Sequence, residues 1–167
     1  MGKFSVWLYE SLYKRKAPEY VSNYSLWDLF TKPIRKWLTN TLAANCPFNG
    51  IRVGIYRLCG FQIGKHVSIG MRCYLDDHCY KLIKIEDRVT VSYGVYFACH
   101  GSKQRHTPIT IKEGAYIGMR SNIVSGKNGV TIGKNAVIGA SSLVITDIPA
   151  GATAVGSPCK VIKTAGE

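Results

Sequence analysis

Residues 132–144 read Ile132-Gly133-Lys134-Asn135-Ala136-Val137-Ile138-Gly139-Ala140-Ser141-Ser142-Leu143-Val144. An aliphatic side chain recurs at 132, 138 and 144, glycine follows the first two directly, and Ala136 and Ser142 supply a small residue at the fifth place of each unit. A period of six matches neither a helix, which repeats near 3.6, nor an extended strand, which repeats at 2. It suits a short strand with one inward aliphatic followed by a tight corner, where glycine tolerates backbone angles that other residues avoid.

The same unit extends in both directions in groups of three. Its first positions are Ile63, Ile69 and Leu75; Ile85, Val91 and Phe97; Ile111, Ile117 and Ile123; and Ile132, Ile138 and Val144. Gly64, Gly70 and Gly118 repeat the small second position, and Val67, Cys73, Ala115 and Ser121 the fifth. Three units close one triangular coil, so the pattern predicts coils over 63–80, 85–102, 111–128 and 132–149, broken by inserts at 81–84, 103–110 and 129–131. Coils stack about 4.8 Å apart, as neighbouring strands do. A short-period repeat sets the architecture: a mainly β chain whose residues 63–149 form a parallel β-helix of about four coils. A helical segment over 1–62 precedes it and a closing segment over 150–167 follows.

The N-terminal segment holds all three tryptophans. Phe4, Trp7, Leu8 and Leu12 fall at helical spacing, Lys14, Arg15 and Lys16 follow, and Pro18 ends the stretch. A second helix is predicted over 26–43, with Pro33 as a kink, and a third over 50–58, ended by Gly60. Such helices would cap the open end of the coils, which exposes unpaired strand edges. Basic residues beside aromatic helical faces also suit peripheral contact with a membrane surface.

The chain carries 22 basic and 10 acidic residues, a net charge of +12. The excess is spread over both parts: residues 1–62 hold nine basic and three acidic groups, residues 63–167 thirteen and seven. Such a field attracts anions, whether a nucleotide-bearing cofactor, a glycan or a lipid surface. Nucleic acid is not expected as a partner, because no basic stripe interleaved with stacking aromatics occurs. The opening Met1-Gly2-Lys3-Phe4-Ser5-Val6-Trp7 matches neither a secretory leader nor a myristoylation signal, which predicts a cytoplasmic protein. The six cysteines show no Cys-x-x-Cys pairing and are expected to be reduced core fillers.

Ile117-Gly118-Met119-Arg120-Ser121-Asn122, the 132–140 repeats, Asp147-Ile148-Pro149-Ala150-Gly151 and Gly156-Ser157-Pro158-Cys159-Lys160-Val161-Ile162 resemble the bacterial hexapeptide-repeat acyltransferases, in particular the sugar and polysaccharide O-acetyltransferases. The resemblance covers about residues 60–163. It implies a left-handed helix, a homotrimer, and acetyl-CoA as co-substrate with no metal; the usual preference for right-handed crossovers points the other way. Acetyl transfer to a hydroxyl needs a base, and histidine is suited to that work. Of His66, His78, His100 and His106, the resemblance selects His100, in Phe97-Ala98-Cys99-His100-Gly101, just before the longest insert. His78 occupies the same place one coil earlier, so Asp77 or His78 is expected to orient His100 or touch the acceptor. The resemblance places Gly118, Met119, Gly139, Ala140 and Thr146 along the pantetheine arm and Lys160 and Lys163 near the phosphates. Relatives often have a small residue where Met119 stands and a basic one at Thr146, so the oxyanion donor falls to a backbone N–H of Gly118 or Met119.

The residues leave other readings open. The acceptor could be serine, a nodulation-type oligosaccharide or a xenobiotic such as chloramphenicol instead of a cell-surface glycan precursor. A zinc enzyme resembling the left-handed helical carbonic anhydrases would use His78, His100 and His106. A non-catalytic scaffold that binds polyanions would show the same repeats and charge.

Overall fold

A computed structural model describes residues 2–17, 26–100 and 106–164. The chain divides into two compact units, Met1–Trp37 and Leu38–Glu167. In the first, α1 spans Gly2–Tyr13 and α2 spans Leu26–Trp37. Pro33 lies inside α2, and the departure from α-helical bonding comes five residues later, in a π-helical segment Leu38–Ala43 that opens the second unit. In that unit α3 spans Asn49–Leu58 and ends at Gly60, whose φ of +92° suits the residue after a helix.

Strands follow in a fixed rhythm. The first coil contains β1 (Gln62–Ile63), β2 (Ser68–Ile69) and β3 (Tyr74–Leu75); the second β4 (Ile83–Ile85), β5 (Thr90–Val91) and β6 (Tyr96–Ala98). The third holds β7 (Ile109–Ile111), β8 (Tyr116–Ile117) and β9 (Asn122–Val124), and the fourth β10 (Val130–Ile132), β11 (Val137–Ile138) and β12 (Leu143–Val144). Each strand pairs in parallel with its counterpart one coil away, giving sheets ordered β1-β4-β7-β10, β2-β5-β8-β11 and β3-β6-β9-β12. The register joins first position to first position: Ile63 to Ile85 to Ile111, and Leu75 to Phe97 to Ile123. Eleven of the twelve first-position side chains are buried and Ile63 is half-buried. Each buried aliphatic contributes about 2 kcal/mol by leaving water. Cys59, Cys73, Cys79 and Cys99 are buried among them.

Two corner rules emerge. The second-position glycines do not have positive φ, contrary to the dihedral argument from the sequence. A Cβ on Gly70 would lie 2.5 Å from the Tyr93 backbone nitrogen, and one on Gly118 2.5 Å from that of Ala140. The next coil's backbone passes too close for any side chain. The left-handed conformation falls instead on the fourth position. His66, Arg72, Arg88, Arg120, Asn135 and Ser141 have φ between 54° and 56°, and Gly94 and Gly114 have 69° and 72°. These eight residues sit at the first two corners of the four coils. At the third corner the fourth positions are His78, His100, Gly126 and Asp147, and none has positive φ. Inserts leave from that corner, so it departs from the common geometry.

The helix runs further than the repeat pattern indicated. Ile148 bridges in parallel to Ile132, and β13 (Thr153–Val155) pairs with β11, placing Ala154 over Ile138. A partial fifth coil therefore begins within the unit that starts at Val144. β14 (Lys160–Lys163) then turns back antiparallel to β13.

At the opposite end α3 covers the free edge of the first coil. Asn49 accepts from the Ile69 N–H at 3.0 Å and donates to the Val67 carbonyl at 3.1 Å, which copies the bonding of a neighbouring strand. The buried Arg52 donates through Nε to the Ile69 carbonyl at 2.6 Å, and the Tyr56 hydroxyl to that of Cys73 at 3.2 Å. An unsatisfied buried backbone group costs about 1–3 kcal/mol, so these side chains make the first coil a tolerable end.

Candidate active site

The register of β3 with β6 stacks the third corners of the first and second coils. Asp76 and Asp77 follow β3 directly, and both are fully buried. The Asp76 Oδ2 lies 2.6 Å from His100 Nδ1 and accepts the Cys99 N–H at 3.0 Å, while its Oδ1 accepts the His78 N–H at 3.1 Å. A carboxylate can only accept, so His100 Nδ1 carries the hydrogen and Nε2 is left with the lone pair. The His100 side chain is 47% exposed. The arrangement is a basic nitrogen at the surface whose tautomer and orientation are held by a buried anion, as in base-orienting pairs elsewhere.

The sequence reading assigned that role to Asp77 or His78, and the structure assigns it to Asp76. Asp77 is turned away: its Oδ1 is 3.4 Å from Asn40 Nδ2, and its buried Oδ2 has no partner among the described residues. Burial and the two carboxylates push the Tyr74 phenol well above its ordinary range. Tyr74 stacks on Tyr96 at 4.4 Å, which closes the corner over Asp77. Asp77 therefore supports the corner and presents no surface to an acceptor. His78 is exposed, and its backbone N–H is what anchors Asp76. Asp76 stands at a second position, which Gly64, Gly70, Gly118, Gly133 and Gly139 fill with glycine, but Glu86 is an acid at the same place, so position alone does not single out Asp76.

The residues expected along the pantetheine arm form a ledge at the second corner. Gly118 and Met119 follow β8, and Gly139 and Ala140 follow β11 one coil on. The Ser141 N–H donates to the Met119 carbonyl at 2.8 Å, and the Gly118 N–H to the Ile138 carbonyl at 2.8 Å. Gly118 is thus committed to the coil stack. The Met119 N–H has no acceptor among the described residues, and its side chain is 53% exposed, so Met119 is the available backbone donor of the two. Thr146 is exposed at the third corner of the fourth coil, and Lys160 and Lys163 are exposed on β14 opposite Val155 and Thr153. Within one chain, β9 separates the ledge from the third corner, so Met119 and His100 stand at opposite edges of the β3-β6-β9-β12 sheet.

Two other places are organised differently. An open depression of about 530 Å³ at the first corner is lined by Lys84, Glu86, Asp87 and Glu113. Its acids are engaged: Glu86 pairs with Lys112 at 3.1 Å and Glu113 with Lys134 at 3.0 Å, and Asp87 accepts the Lys65 N–H at 2.8 Å. Among the described residues of one chain, no three His, Cys, Asp or Glu side chains are gathered as metal ligands would be.

Residues 108–147 match the family model described as the hexapeptide repeat of succinyl-transferase. Over these residues the chain is similar to hexapeptide-repeat acetyltransferases. It is 35% identical over 120 residues to galactoside O-acetyltransferase of Escherichia coli, an alignment that covers 62% of this chain and 56% of that protein. The chain spans about half the length of the curated relatives it matches. Among solved structures, a maltose O-acetyltransferase from Clostridium difficile is 27% identical, with a TM-score of 0.57 over 86% of this chain and 90% of the other. A hexapeptide-repeat acetyltransferase from Vibrio cholerae shares the fold at 20% identity, with a TM-score of 0.65 over 84% and 93% of the two chains. That protein is also known in complex with acetyl coenzyme A. The hexapeptide-repeat fold is the left-handed parallel β-helix.

Proposed function

We propose that this protein transfers the acetyl group of acetyl-CoA to a hydroxyl of a sugar or cell-surface polysaccharide precursor, with His100 as general base. The observation that carries the reading is the Asp76–His100 pair at 2.6 Å on the stacked third corners. As the acceptor oxygen attacks the thioester carbonyl, His100 Nε2 takes its proton. The new C–O bond leaves a tetrahedral oxyanion, to which the Met119 N–H donates. The oxyanion then collapses, the C–S bond breaks, and the imidazolium returns the proton to the departing CoA sulfur. Gly118, Gly139 and Ala140 leave room beside the ledge for the pantetheine arm, with Thr146 flanking it. Lys160 and Lys163 supply charge for the phosphates, and exposed His78 stands beside the acceptor.

Because His100 and Met119 occupy opposite edges of one sheet, the complete site takes the base of one chain and the ledge of a neighbour, as in a homotrimer. Purified protein given acetyl-CoA and a panel of glycosides, serine and chloramphenicol should release CoA thiol with a glycoside. Turnover confined to serine or chloramphenicol would replace the sugar reading, and silence across the panel would remove the transferase reading.

The reading includes a cytoplasmic location, where acetyl-CoA is available, with peripheral contact at the membrane that carries lipid-linked precursors. No helix among the described residues is long and apolar enough to cross a membrane. Trp7, Leu12 and Tyr13 of α1, which the basic run Lys14, Arg15 and Lys16 follows in sequence, are exposed, as are Ile34 and Trp37 of α2. Such faces bind anionic lipid by apolar insertion and charge together. The protein should sediment with phosphatidylglycerol vesicles and not with phosphatidylcholine vesicles, and replacing the three basic residues by Gln should release it. Equal sedimentation with both vesicle types, or with neither, would end this part of the proposal.

A further inference from the structure

His100 and His106 stand on the outgoing and returning limbs of the long insert and form an isolated antiparallel bridge. The Thr107 N–H donates to the Cys99 carbonyl at 3.0 Å, so the hydrogen bond flanks the histidine pair and does not join it. Opposite residues of that kind have Cα atoms about 4.5 Å apart and side chains on the same face. The returning limb is also tied to the third coil, since the Thr107 Oγ1 lies 2.8 Å from the Ser125 Oγ and 2.7 Å from the Gly126 carbonyl. Residue 106 is therefore held between two coils, with its exposed imidazole next to that of His100. Among the described residues that imidazole has no hydrogen-bond partner, whereas His100 is engaged by Asp76.

A neutral imidazole offers one donor and one acceptor, which is the complement of a hydroxyl. We propose that His106 binds a second hydroxyl of the acceptor while His100 deprotonates the first. The paired histidines then select polyhydroxylated acceptors, with hydroxyls on neighbouring carbons as in a sugar ring, over isolated alcohols. The inference rests on the transfer reading of His100 and adds a specificity-determining residue to it.

The test is a cycle of protein and substrate changes. Methyl β-D-galactopyranoside and its four monodeoxy analogues are assayed with acetyl-CoA against the wild type, His106→Ala and His106→Gln. Wild type should acetylate one analogue about tenfold less efficiently than the parent, the effect of one lost hydrogen bond on kcat/KM. His106→Ala should lose about tenfold on the parent and nothing further on that analogue, and His106→Gln, which keeps a donor and an acceptor, should recover part of the loss. Equal losses by His106→Ala on the parent and on every analogue that still accepts acetyl would overturn the inference and leave the transfer reading standing. Failure of the wild type to acetylate this glycoside or any other sugar removes both.

Discussion

Replacing His100 with Ala should lower kcat/KM for acetyl transfer by roughly 10²- to 10⁴-fold, the range a positioned general base supplies. The side chain is 47% exposed and its φ is not in the left-handed region, so the coil backbone accommodates the substitution, and the buried Asp76 carboxylate left without this partner should lower stability by about 1–3 kcal/mol. Binding of acetyl-CoA, measured by calorimetry, should persist, because the ledge is on another corner. A second arm tests where the partners meet. Ala140→Trp, at an exposed ledge residue, blocks the ledge without touching the third corner, and oligomers reassembled from His100→Ala and Ala140→Trp chains should regain activity that neither variant has alone. Retained turnover in His100→Ala would remove the base assignment, and mixed oligomers as inactive as their parents would place base and ledge in one chain's site.

Asp76→Asn should be nearly as damaging, although Asp76 touches no substrate. The carboxylate accepts on both oxygens, from His78 on one side and from Cys99 and His100 on the other. An amide can satisfy only one side. With its oxygen towards Cys99 and His100, it opposes one N–H to the His78 N–H; turned over, it opposes the Cys99 N–H and donates to His100 Nδ1, moving the ring hydrogen to Nε2 and removing the base. In both orientations the negative charge that stabilises the developing imidazolium is gone. The expected loss in kcat is roughly 10²- to 10⁴-fold, with an unchanged KM for acetyl-CoA. Stability should fall by about 1–3 kcal/mol for the one buried donor left unpaired. A folded Asp76→Asn protein within threefold of wild-type kcat would show that the pair does not orient the base.

The coil stack was legible because a triangular turn closes only when an inward aliphatic returns every six residues, and that requirement is written in Ile132, Ile138, Val144 and their counterparts. What the period could not convey was the cause of each small residue. Gly70 and Gly118 answer to the neighbouring coil's backbone, whereas the left-handed dihedrals fall two places later; histidine and asparagine at 66 and 135 tolerate that conformation, but nothing in the chemistry of Arg72, Arg88 and Arg120 announces it. The partial fifth coil was missed because Ala154 fills a position where earlier coils hold Ile or Val. At the site, His100 could be chosen from a resemblance, but its carboxylate could not: Asp76 and Asp77 are adjacent and identical, and only the pleat decides which one turns under the corner. His106 reads as a loop residue until the two limbs of the insert are seen to pair.

A stack of parallel strands can add identical copies indefinitely at an exposed end, the growth mode of fibrils. Here neither end is available for it. Asn49, Arg52 and Tyr56 occupy the bonding groups of the first coil. At the far end residues 156–159 fold over β12, where the Leu143 N–H meets the Gly156 carbonyl and the Cys159 N–H meets that of Leu143. β14 then shields β13 and carries the repelling ammonium groups of Lys160 and Lys163 on its own outer rim. These closures make the helix a particle of finite length and deny a template to polymerisation, leaving the flat sides as the surfaces through which copies can associate.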